Sequence, residues 1–93
     1  MTIGVLYLEI LVPGARSLKD KRGVLKSLKA RMHDRFNCSV AETGHQDTWG
    51  RSQITVCVVS GESRHANTQL NEIVNFVSLR HDAQLADYRI EML

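Results

Sequence analysis

Residues 2–12 read Thr2-Ile-Gly-Val-Leu-Tyr-Leu-Glu-Ile-Leu-Val12, and this stretch decides the fold. It is rich in β-branched and aromatic residues, the composition of a strand. One alternate set, Leu6, Leu8, Ile10 and Val12, is wholly apolar. The other, Ile3, Val5, Tyr7, Glu9 and Leu11, carries a single carboxylate. A strand apolar on both faces belongs in the middle of a sheet, covered on both sides. Pro13-Gly14 ends it.

Working outward, Ser17 is placed to cap a helix, with Asp20 three residues on completing a capping-box-like pair. Leu18, Leu25, Leu28, Met32 and Phe36 form its buried stripe, so the helix should run from Ser17 to about Arg35. Cys38–Thr43 and Gln53–Ser60 read as strands joined by Gly44–Ser52. If that hairpin is symmetric about Asp47-Thr48, Cys38 faces Cys57. Gly61-Glu62-Ser63 opens a second helix with a stripe of Ala66, Leu70, Ile73, Val74 and Val77, and Gln84–Met92 is the last strand.

The order is β-α-β-β-α-β. Two interleaved right-handed crossovers make this a ferredoxin-like α+β sandwich, a four-stranded antiparallel sheet with both helices on one face. The expected strand order is 4-1-3-2, which makes the first and third strands central. Ile54-Thr-Val-Cys-Val-Val59 carries no charge on either face, in keeping with that position. With helices on one side only, apolar positions of the central strands are left over. Such a patch usually marks an interface, so a homodimer or higher oligomer is expected.

The chain has 93 residues, which form a single domain over 1–93. Its composition, 43% hydrophobic and 24% charged, is that of a globular rather than a disordered protein. No stretch approaches the roughly 18 to 20 apolar residues of a membrane span. The first residues lack the basic run and small-residue cleavage site of a secretory signal, and two cysteines are too few for a disulfide framework. The cytoplasm is the expected compartment.

Net charge is only +2, but it is unevenly spread. Eight of the 12 Lys and Arg residues and two of the 10 acids fall between Arg16 and Arg35, so this segment is +6 and the rest −4. Lys19, Arg22, Lys26, Lys29 and His33 follow helical spacing along one side, with Arg16 at the helix start. A solvated helix face ordinarily carries both signs; a one-signed stripe is suited to phosphates or to an acidic protein surface. Readers of single-stranded RNA stack bases on aromatic residues of the central strands, where this chain offers only Tyr7. RNA contact, if made, should run through the first helix and read backbone and shape.

The hairpin segment holds the densest mixture of functional groups: His45, Gln46, Asp47, Trp49 and Arg51. His45 with Asp47 could serve as a general-base pair, but the three or four ligands of a metal site are not gathered here. The favoured reading is structural, with the polar side chains fixing the hairpin and Trp49 packing at an interface. Cys38 and Cys57 lack C-x-x-C spacing and read as small core or interface residues. No cofactor or metal is expected.

Pro13-Gly-Ala-Arg-Ser-Leu-Lys-Asp-Lys-Arg22, Val24-Leu-Lys-Ser-Leu28, Arg35-Phe-Asn-Cys-Ser-Val-Ala-Glu42 and His45-Gln-Asp47 with Trp49 together resemble the YlxP-like family of small bacterial proteins. The likeness covers essentially the whole chain. It implies a ferredoxin-like dimer and no catalytic mechanism. Members are often encoded beside ribosome-binding factor A and translation initiation factor 2, which implies a place near translation by association. The leading expectation is a non-enzymatic cytoplasmic homodimer that binds structured RNA or a ribosomal particle through Arg16, Lys19, Arg22, Lys26 and Lys29. The alternatives are an enzyme using the hairpin on a small anion, and a protein-interaction module.

Overall fold

The computed structural model describes residues 1–93. Strand β1 (Thr2–Leu11) leads through a turn to helix α1 (Leu18–Arg35), then β2 (Ser39–Gly44), β3 (Arg51–Ser60), α2 (Ser63–Ser78) and β4 (Gln84–Met92). The four strands form one antiparallel sheet in the order β2-β3-β1-β4, the ferredoxin-like arrangement. Long central strands give the molecule its shape, 42 × 21 × 18 Å.

Leu6, Leu8 and Ile10 of β1 and Ile54, Val56 and Val58 of β3 are buried beneath the helices. They meet Leu25, Leu28 and Met32 of α1 and Ala66, Leu70, Ile73, Val74 and Val77 of α2 in one core. Phe36 is half-buried and meets Phe76 edge to face, with ring centroids 5.9 Å apart. The start of α1 is closed twice: Ser17 Oγ accepts from the Asp20 amide, and the Asp20 carboxylate accepts from the Arg16 amide. This is a capping box that reaches one residue further back than usual. Helix α2 has no side-chain cap at Glu62, but Ser63 Oγ and Thr2 Oγ1, 2.9 Å apart, tie its first turn to the start of β1.

The symmetric hairpin is corrected. Ser39, not Cys38, lies opposite Cys57: the loop end pairs Gly44 with Gln53 rather than following symmetry about Asp47-Thr48, and a bulge between Glu42 and Gly44 leaves Thr43 as an extra residue of β2. The turn closes over His45–Thr48, where the Thr48 amide donates to the His45 carbonyl. His45 has a φ of 57°, the left-handed conformation that lets the chain leave the bulged strand. The one-residue shift separates the thiols: Cys38 packs against the helix-side core, whereas Cys57 lies with Ile3, Val5 and Val59 on the other face.

That helix-free face is more varied than an uncovered apolar sheet. Val59 is 66% exposed beside half-buried Ile3, and their neighbours Val5 and Cys57 continue the apolar end. Towards β4 the surface turns polar. The Arg89 guanidinium lies 4.2 Å from the Tyr7 ring centroid, and the Tyr7 hydroxyl donates to Glu91.

Gly4 marks the closest approach of α2 to the sheet, since a Cβ there would lie 2.9 Å from Leu70 Cδ1 and 3.3 Å from Val58 Cγ2. Gly4→Val should therefore overpack the core and cost about 1–3 kcal/mol in urea unfolding. Gly14→Ala, where nothing lies within 4 Å, should stay within about 0.5 kcal/mol of the parent. Equal effects would refute this account of the packing.

Candidate functional site

The buried stripe of α1 contains a charge. Lys21 stands on the same side as Leu25, Leu28 and Met32, and it is fully buried. Its Nζ lies 2.9 Å from Glu42 Oε2, donates to the carbonyl of His45 at 2.7 Å and to that of Arg51 at 3.3 Å, and has Gln46 O at 3.5 Å. An ammonium has three N–H donors, and this one has a use for each. Glu42 also accepts from the hydroxyl of buried Ser52 at 2.6 Å. The lysine thus crosses from helix to hairpin and holds both strand ends.

This clasp gives the expected hairpin residues their places. The His45 carbonyl accepts from Lys21, and Gln46 Nε2 donates to the Glu42 carbonyl at 3.1 Å. On the other face, Glu9 Oε2 lies 3.9 Å from both His45 Nε2 and Arg51 Nη2. Asp47 is exposed and makes no side-chain hydrogen bond or ion pair, so it does not join His45 in a pair. Trp49 is 49% exposed on the same loop. No cluster of three or more His, Cys, Asp or Glu side chains is arranged to hold a metal.

Glu9, Lys21, Glu42 and Ser52 are the residues of this region that sequence reasoning passed over. A signal was there: the spacing Leu18, Lys21, Leu25, Leu28, Met32 runs unbroken through the lysine. Likewise Glu42 follows Val40 at alternate spacing on the helix-facing side of β2.

Arg16, Lys19, Arg22 and Lys26 are exposed, Lys29 is half-buried, and none of the five ion pairs involves them. Arg31 and Arg35 lie about half a turn away from Lys26, on the flank towards α2. There, with Arg80, they border a groove of about 690 Å³ between the helices. Arg80 grips Asp82 through two hydrogen bonds of 2.8 and 2.6 Å. This pairing holds the Asp82 carboxyl below its ordinary value. Burial pushes the Cys38 thiol up, which keeps it a poor nucleophile.

Lys21→Met should cost about 3 kcal/mol in chemical denaturation, because it leaves Glu42 without its counter-ion and removes the lysine's hydrogen bonds to the His45 and Arg51 carbonyls. Lys21→Met/Glu42→Gln should recover part of that loss, since no unpaired carboxylate then remains and only the lysine's hydrogen bonds to the carbonyls are missing. A near-neutral single variant would show that the clasp does not hold the hairpin. For Asp82 the folded carboxyl is the stronger acid, so its stabilisation is present above the unfolded value and fades as pH falls through the folded one. Asp82→Asn should lower the melting temperature at neutral pH and flatten its decline below about pH 4.

The family described as "Protein of unknown function (DUF503)" matches residues 3–90. The Bacillus subtilis (strain 168) protein described as "Uncharacterized protein YlxP" is 36% identical over 75 residues, spanning 81% of this chain and 82% of its own. A family match over residues 3–90, nearly the whole fold, means that the chain belongs to the DUF503 family, with YlxP of Bacillus subtilis among its relatives.

Proposed function

We propose that this protein is a non-enzymatic, cytoplasmic homodimer that binds structured RNA or a ribosomal particle through the outer flank of α1. The observation that carries the reading is the unopposed charge of Lys19, Arg22, Lys26 and Lys29, none of which has a carboxylate partner. A helix presenting four cations over nearly three turns can follow a phosphate backbone, and each contact releases a counter-ion. Arg16 extends the track beyond the helix start.

The hairpin supports this assignment by what its groups already do. His45, Gln46 and Arg51 contribute backbone or side-chain atoms to the clasp, and Asp47 is not placed to assist His45. For self-association, the apolar end of the open sheet face offers the contact surface, with exposed Val59 and half-buried Ile3 and Cys57.

Two measurements test the proposal. The protein should sediment with ribosomes at roughly 50 mM salt and be released at roughly 200 mM, and Lys26→Glu/Lys29→Glu should lower the salt slope of RNA affinity by about two or more. Residence in the free fraction even at low salt, with no effect of charge reversal, would overturn it. Nuclease-resistant capture of a protein through the same stripe would point to an acidic protein surface. In sedimentation equilibrium the parent should exceed its 10.5 kDa protomer mass, and Val59→Glu should restore the protomer.

A further inference from the structure

The groove between the C-terminal halves of α1 and α2 has a chemistry of its own. Arg31 and Arg35 reach it from α1, Phe76 and Glu72 from α2, and Arg80 and His81 from the connection to β4. Its volume, about 690 Å³, falls in the range of small-molecule sites. The Arg35 guanidinium carbon stands 5.2 Å from the Phe76 ring centroid and 5.9 Å from that of Phe36. Two phenyl rings thus back a planar cation on the groove wall. Neither Arg31 nor Arg35 has a carboxylate partner, whereas Arg80 is fixed by Asp82 and reaches Ser27 Oγ at 3.4 Å.

We propose that this groove binds a nucleotide, its phosphate held by Arg31 and the immobilised Arg80 and its base laid against the Arg35 plane. A guanidinium backed by aromatic rings is a flat surface on which a nucleobase can stack. A free guanidinium beside a fixed one matches the oxygens of a phosphate. Glu72 and Asp82, which also line the groove, oppose the larger charge of a di- or triphosphate, which suits a monophosphate better than a polyphosphate. The site lies on the other flank of α1 from the lysine stripe, so it stands apart from the RNA-backbone reading. Arginines near a helix C-terminus also offset its dipole, and that role alone would require no ligand.

The test is a titration of the full-length protein by nitrogen-15 NMR with AMP, inorganic phosphate and a short oligouridylate. AMP should shift the amide signals of Phe76, Arg80 and His81 saturably. Arg31→Gln should weaken AMP about tenfold, with the melting temperature retained. Arg35→Lys should weaken AMP but leave inorganic phosphate unchanged, because it keeps the charge and loses the plane. Lys26→Glu/Lys29→Glu should leave AMP affinity within about twofold, which keeps this test distinct from the ribosome experiment. Tighter binding of the oligouridylate at the same residues would identify the nucleotide as part of an RNA chain; tighter AMP binding would identify a free nucleotide. Absence of any saturable shift, indifference to Arg31→Gln, or equal affinity for inorganic phosphate and AMP would overturn the proposal.

Discussion

The ammonium group of Lys21 joins the helical layer to the hairpin, and the geometry around it depends on that contact. Removing a charge from water costs several kcal/mol even after the protein relaxes. That cost is offset here only because the ion has a carboxylate and backbone carbonyls within reach. Those carbonyls belong to His45 and Arg51, on either side of the loop, so one side chain fixes how far the hairpin can open. The bulge after Glu42 and the left-handed turn at His45 then set the path of residues 45–50. Remove the cation and the loop keeps its sequence but loses the reason for its shape.

Much of this was written in residue order alone. The two-sided apolar character of β1 and β3 placed them at the centre of the sheet, and the stripe of α2 is buried at every expected position. Boundaries moved by a residue or two at strand ends, where pairing continues beyond the apolar run. The hairpin was the least legible part, because register there depends on a bulge that no local propensity announces. Lys21 was hidden for a different reason. Composition counts it with the solvent-facing cations, while its position in the stripe assigns it to the core, and the position prevails because partners for all three of its N–H groups are within reach.

Helix α1 consequently presents three different surfaces within 18 residues. Its inner side is apolar with one neutralised charge. One flank bears unpaired lysine and arginine ammonium and guanidinium groups; the other carries guanidiniums organised around phenyl rings and the Arg80–Asp82 pair. The mild net charge of the chain is the sum of these unlike regions, and it describes none of them.

The bulge has one last consequence. By shifting β2 a single residue against β3 it leaves Cys38 on the helix side of the sheet and Cys57 on the other. A disulfide requires the two Cβ atoms to approach within about 4.5 Å with their bonds converging, and here a hydrogen-bonded ladder stands between them. The folded chain therefore forms no disulfide between its own two cysteines. Any disulfide made by Cys57 must be with a thiol from outside the chain, which leaves the internal connectivity of the fold unchanged.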